Sequence, residues 1–362
     1  MSTQITNYQC PACTGPLHYD AGIEKLRCDY CDSCYTVQEV EALFAEQNAQ
    51  AENQSEQQSE QAAEPSEWGE DAAHLRAYNC PSCGAELICD ETTAATACPY
   101  CGNPAIVPGQ FSGSKKPSSM IPFKVTKEQA VEALKKHYQG KPLLPKAFSD
   151  ESHLQEIKGV YVPFWLYDGT AQADVSFKTT RTRTRTTGNE RVIVTDHFEV
   201  WRKGAVSFSH VPVDGASKMP DHYMDAIEPF DYAQLEPFSL SYLAGFLADK
   251  YDVPAEDCLP RVETRCRSTA LDAMRDTVIG YESCVPLRED VSLQCDKVDY
   301  ALLPVWLLST KWKDKIYLFA LNGQTGKLVG DLPVSREQLM KWFGIIFAAS
   351  AAVMSLIRFL VL

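Results

Sequence analysis

The sequence predicts a multidomain α+β protein, and three observations carry that expectation. A pattern of paired cysteines occurs twice near the N terminus. The middle of the chain is rich in Val, Thr, Phe, Tyr and Trp, interrupted by stretches of helical periodicity. The carboxyl end, Trp342 to Leu362, carries a single charge, Arg358.

A length of 362 residues allows two or three domains, and 45% hydrophobic content allows a sizeable core. The net charge of -14 argues against a chain held on nucleic acid by phosphate contacts. Ten of the 14 cysteines precede residue 102, and MSTQITNYQC offers no apolar leader. Paired cysteines in that setting read as metal ligands in a reducing compartment rather than as a secreted disulfide framework.

The first element, residues 1–36, is read as a zinc ribbon, and so is residues 77–112. YQCPACTGPL and YNCPSCGAEL align at an offset of 70 residues, as do CDYC and CPYC. The expected ligands are Cys10, Cys13, Cys28 and Cys31 in the first copy and Cys80, Cys83, Cys98 and Cys101 in the second. Zn²⁺ takes four tetrahedral ligands and binds thiolates well. Two residues between cysteines let the chain turn so that both sulfurs face one ion. The 14 residues between the pairs in each copy allow a hairpin that brings the second pair over the first. Four protein ligands close the site, so both zinc ions are expected to be structural. Cys34 and Cys89 lack counterparts and read as spares. The scattered Cys258, Cys266, Cys284 and Cys295 read as small buried hydrophobes.

Residues 37–76 read as an acidic disordered linker. Positions 45–71 hold eight acids and no Lys or Arg, and Glu52, Glu56, Glu60 and Glu64 would stack as like charges on a helix.

Residues 113–335 form the α+β body. Thr126 and Gln129 suit a capping box for a helix to about Tyr138, with Ala130, Val131, Leu134 and Tyr138 on one side. From Ile157 to Gly215 a run of antiparallel strands is expected, with turns at Asp168-Gly169 and Thr187-Gly188-Asn189. SLSYLAGFLADKY and VETRCRSTALDAMRDTVIGY read as helices, and strands return from Val298 to Gly330. Val162-Pro163-Phe164-Trp165-Leu166 echoes Leu303-Pro304-Val305-Trp306-Leu307, which suggests two related β units with helices between them. Both tryptophans are expected in the core.

Residues 340–362 are expected to form a transmembrane tail anchor. Twenty-one residues from Trp342 make a helix of about 31 Å, enough for a hydrocarbon core of about 30 Å. Arg336 and Lys341 on the near side favour a cytoplasmic body, giving a single-pass cell-membrane protein. Gly344, Ala348 and Ala352 form a small-residue stripe through which the helix could self-associate, so a homo-oligomer is one outcome.

The whole chain resembles a family of uncharacterised bacterial TFIIB-type zinc-ribbon-containing membrane proteins. The resemblance rests on CPSCGAELICDETTAATACPYCGNPAIVPGQFSG, EIKGVYVPFWLYDG, KMPDHYMDAIEPFDY and YLFALNGQTGKLVGDLPV. It implies cysteine-bound zinc and a C-terminal membrane segment, and no established activity.

For function, a zinc-binding, membrane-tethered cytoplasmic scaffold or adaptor for protein partners fits these features best. Nucleic-acid binding through the ribbons is the first alternative, disfavoured because ribbon one has only Lys25 and Arg27 as cations and ribbon two has none. An enzyme in the β-rich body is the second. No G-x-S-x-G, H-E-x-x-H or phosphate loop occurs, so the weight falls against it. Arg181, Arg183 and Arg185 alternate with threonines and would line one face of a strand. Cross-strand pairing with Asp196 and its neighbours accounts for them, and contact with an anion or an anionic lipid surface is the rival role.

Overall fold

A computed structural model describes residues 10–12, 17–28, 31–40, 42, 68, 75–80, 83–90, 98–101, 103, 107–109, 115–148, 151–187, 190–313 and 315–361. Cys13, the turn residues Gly188 and Asn189, and most of the expected linker lie outside the described residues. The ends of residues 37–76 are not a disordered linker: residues 37–40 are helical with Val37 and Val40 buried, Trp68 packs on Phe238, and Leu75 opens a strand, because these apolar side chains find the core.

The N-terminal strands β1 (Leu17–Asp20), β2 (Lys25–Cys28) and β3 (Cys34–Tyr35) form a three-stranded antiparallel sheet. Next come β4 (Leu75–Asn79), β5 (Glu86–Asp90), β6 (Val107–Gly109) and β7 (Ser119–Met120). Helix α1 (Lys127–Tyr138) begins at the expected capping box. Gln129 N donates to Thr126 Oγ1 at 3.3 Å, and Thr126 N donates to Gln129 Oε1 at 3.0 Å. Ala130, Val131, Leu134 and Tyr138 are its buried residues, as the periodicity anticipates.

After the short α2 (Glu151–Leu154), the expected run of strands is two very long ones, β8 (Lys158–Thr187) and β9 (Glu190–Asp214). They pair antiparallel from Phe164, opposite Asp214, to Thr187, opposite Glu190. Asp168-Gly169 is therefore not a turn. The strand passes through it with a register shift between Tyr167 and Gly169, and Asp168 Oδ1 accepts from His210 N at 2.7 Å. A Cβ at Gly169 would lie 2.4 Å from the Gln294 carbonyl oxygen, so the glycine serves close strand approach here rather than chain reversal.

Helix α3 (Asp221–Ile227), β10 (Glu236–Pro237) and β11 (Leu247–Asp249) follow. The stretch SLSYLAGFLADKY is not the expected helix. A 3₁₀ turn, Leu240–Leu243, stops at Gly245, whose φ of +87° leaves the helical region. Leu247 to Asp249 then insert between β8 and β5, parallel to the first and antiparallel to the second. Burial on both sides overrides the helical period.

Helix α4 (Ala255–Asp276) starts earlier than the pattern from Val262 suggests, behind Pro254, and carries Pro260 inside it. Cys258, Val262, Cys266, Ala270 and Met274 form its buried stripe. Thus Cys258 and Cys266 behave as small hydrophobes, whereas Cys295 is exposed. The chain ends with β12 (Ser283–Trp312), β13 (Lys315–Asn322), β14 (Leu328–Gly330) and α5 (Arg336–Val361).

Among the described residues the main sheet has eleven strands in the order β10-β7-β12-β8-β11-β5-β4-β6, with β9 on β8, β13 on β12 and β14 on β13. The second cysteine module (β4 to β6) shares this sheet with the body through the β5–β11 pair. The echoed VPFWL and LPVWL segments are neighbours, with Val162 opposite Leu303. Both use the same scheme. Just before its proline each strand takes a parallel partner, β11 or β7, and just after it an antiparallel one, β9 or β13. Pro163 and Pro304 sit where the outer partner changes, a place where a missing N–H costs no ladder bond. Each proline carbonyl accepts from the glycine that ends the antiparallel partner, Gly215 at 2.9 Å and Gly323 at 2.8 Å. Trp165 and Trp306 are buried, and their Nε1 groups donate to Val253 O and Val125 O at 2.9 and 2.8 Å.

Beyond Tyr167, strands β9, β8 and β12 run on as a ribbon that would be roughly 65 Å long at 3.3 Å per residue. Helix α4 covers one face of it, where Ala173, Val175 and Phe177 pack on Met274. At the opposite pole β14 runs toward the Lys315 end of β13, and Ser335 N donates to Leu143 O at 2.9 Å where α5 leaves the body. The helix starts at Arg336, before the apolar run, because Ser335 O accepts from Leu339 N at 2.9 Å and opens the first turn. Arg336–Ser355 is long and apolar enough to cross a membrane and is 0% buried against the protein.

Candidate metal centre

Each described cysteine pair sits on a tight turn, and the pairs opened by Cys28 and Cys80 lie at the ends of β2 and β4. In the second module Gly84 N donates to Cys80 O at 2.8 Å and Cys80 N to Ala85 O at 2.9 Å. Gly84 holds φ +74°, a conformation glycine adopts without strain. In the first module Asp32 takes the corresponding place after Cys31, with φ 57°, and its N–H donates to Cys28 O at 2.9 Å. Aspartate tolerates that left-handed region better than most residues.

These turns bring Cys80, Cys83, Cys98 and Cys101 together, with all four sulfurs within 4.8 Å of one another. Cys80 Sγ lies 3.6 Å from Cys101 Sγ, and Cys83 Sγ 3.6 Å from Cys98 Sγ. Four thiolates about 2.3 Å from one tetrahedral ion would stand about 3.8 Å apart. Two of the sulfur pairs lie within a few tenths of an ångström of that spacing and all four sulfurs within 4.8 Å, so the donor set fits a divalent metal of that size. In the first module Cys10, Cys28 and Cys31 gather in the same way, with Cys10 and Cys31 sulfurs 3.5 Å apart. Neither Cys34 nor Cys89 joins either cluster among the described residues.

Burial pushes the Cys83 thiol up to about 11 and Cys98 further in the same direction. A divalent cation reverses that preference, because its charge stabilises the thiolates that bind it. Asn103 Nδ2 points at Cys80 Sγ from 3.9 Å.

Tyr100, between the last two cysteines, ties this centre to the body. Its hydroxyl donates to Asp249 Oδ2 on β11 at 2.5 Å, and both residues are buried. Burial holds the phenol neutral and pushes the Asp249 carboxyl up to about 7. Nothing in LADK marks Asp249 in the sequence, since its surroundings come from three other strands and the cysteine turn. A cavity of about 240 Å³ beside it is lined by Glu86, Lys218, Lys250 and Asp252. Those charges already pair: Lys250 Nζ lies 3.1 Å from Glu86 and Lys218 Nζ 3.7 Å from Asp252. A second raised carboxyl, Asp214 at about 6, is also buried and bound to Arg261 at 3.0 Å. Each perturbation has a structural partner: Tyr100 for Asp249, and Arg261 for Asp214, whose carbonyl also accepts from the buried Cys258 thiol at 3.8 Å.

The arginine strip lies at the far end of the ribbon. Arg183 reaches Asp196 at 2.6 Å. Arg181 donates through Nε to Gly280 O at 3.1 Å and lies over the rings of Tyr281 and Phe198. Arg185 is exposed. Helix α5 leaves from the other pole, so the strip and the apolar helix are separated by the length of the ribbon.

No family model matches the chain, and no solved structure does. Among curated proteins it is similar to the uncharacterized protein YdjG of Bacillus subtilis (strain 168), 31% identical over 315 residues, spanning 74% of this chain and 92% of YdjG. With that identity sustained over nearly all of the relative's length, the chain belongs to the family of YdjG.

Proposed function

We propose that this chain is a membrane-tethered scaffold whose two cysteine modules are zinc ribbons, each closed around one structural Zn²⁺, and whose partners are proteins. The single observation that supports it most is the closed set of four sulfurs at Cys80, Cys83, Cys98 and Cys101. Four protein thiolates leave a tetrahedral ion no position for substrate, so the metal holds a shape instead of performing chemistry. The tether is α5, with Arg336 and Lys341 at its body end favouring a cytoplasmic body. The low cationic content of both modules works against a phosphate backbone as ligand.

Elemental analysis of the purified full chain tests the metal. Two zinc ions per chain are expected, unchanged in Cys34→Ser and Cys89→Ser; a content well below two rejects the reading. Deleting residues 336–362 should move the protein from the membrane fraction to the soluble one with its zinc retained. Recovery of the full chain without detergent would reject the tether. A pull-down from membranes, with and without residues 1–112, then tests whether the modules carry the partner.

A further inference from the structure

The three-stranded ribbon has two outer edges, and they are built differently. The edge on β12 is defended: Pro286 removes a donor, and register shifts fall at Pro286/Arg288 and Cys295/Lys297. Such devices keep other strands from pairing. The edge on β9 from Glu190 to Val200 has no proline, glycine or register shift. Among the described residues β9 pairs only with β8, so its outward N–H and C=O groups meet no other strand.

Near the hairpin tip this bare edge also exposes apolar side chains on both faces. Val192 and Val194 share the face of Arg185 and Arg183, while Ile193 stands on the opposite face with Thr184. They are 45%, 41% and 63% exposed. Past Thr180, where β12 begins, the ribbon is only a two-stranded hairpin. Isolated hairpins of that kind are marginal in water. A flat partner could cover one face of Val192–Val194. A neighbouring strand covers both, because its side chains alternate to either side.

We propose that the β9 edge pairs antiparallel with the β9 edge of a second copy of this chain, joining two ribbons into one sheet. Charge selects the register. Centring the two-fold on Thr195 sets Arg191 against Glu199 twice and Val192 against Phe198, with no like charges facing. Moving the centre to Asp196 opposes that carboxylate to its own copy. Moving it to His197 opposes Arg191 to Lys203. Each move keeps every side chain on its own face, so pairing across the strands decides between them.

The test is a disulfide trap on the full chain in detergent. Residues on a two-fold between antiparallel strands have Cα atoms about 4.5–5.5 Å apart, within disulfide range. Thr195→Cys should give a covalent dimer under mild oxidant well above the background of the unaltered chain. Ser207→Cys, farther along the same edge, should not. Val194→Lys should lower the mass in light scattering to that of one chain while leaving the zinc content unchanged. Absence of the Cys-linked dimer in Thr195→Cys overturns the proposal. So does a dimer that persists in Val194→Lys, which would place self-association in α5 instead.

Discussion

Replacing Asp249 by Asn tests the buried contact that ties the second cysteine module to the body. Asp249 is 3% exposed, and burial raises its carboxyl from 3.8 to about 7, with the Tyr100 hydroxyl donating to it. The folded chain therefore keeps a proton that the unfolded chain releases between about pH 4 and 7. Stability falls as pH rises across that window and levels off above it. Three units correspond to about 4 kcal/mol at most, of which about 2 kcal/mol falls between pH 5.5 and 7. Asparagine preserves an acceptor for Tyr100 and has no charge to bury. The melting temperature of Asp249→Asn minus that of the unaltered chain should widen from pH 5.5 to pH 8. At about 2–4 °C per kcal/mol, the widening is roughly 4–8 °C. Thermal melts of both proteins across that range, with zinc content checked at each pH, measure it, and shared titrations cancel in the difference. A gap constant within a degree would refute the reasoning, because it would mean that Asp249 is already ionised in the folded protein at pH 5.5.

Gly169→Ala should destabilise by several kcal/mol, because its Cβ would meet the Gln294 carbonyl oxygen at 2.4 Å in backbone that cannot easily shift; denaturant titration measures this, and a loss below about 1 kcal/mol contradicts the close approach. Trp165→Phe and Trp306→Phe each strand one carbonyl, so both should lose about 1–3 kcal/mol by similar amounts, given their matching sites in the two β units. Arg183→Ala breaks an ion pair whose arginine is 68% exposed, and should change stability by no more than about 1 kcal/mol in unfolding titrations. Arg181→Ala removes a bond to Gly280 O and two ring contacts, and should cost more than Arg183→Ala.

What the sequence determined by itself is local or periodic. Paired cysteines spaced for one tetrahedral ion, the Thr126–Gln129 capping box with its buried stripe, and an apolar terminal helix each declare themselves within a few turns of chain. Even the VPFWL and LPVWL echo is a short-range pattern, though its meaning, two strands changing partners at their prolines, needed the sheet. Tertiary structure decided whatever depends on what lies alongside. Leu247 to Asp249 have helical spacing but become a strand because β8 and β5 flank them. Asp168-Gly169 reads as a turn, yet backbone from β12 presses against it and the strand continues. Asp249 carries no sequence signal at all, since its raised carboxyl comes from burial beside Tyr100, 149 residues away along the chain. Propensity and periodicity act over neighbours in sequence, whereas burial, desolvation and the completion of a sheet act over neighbours in space.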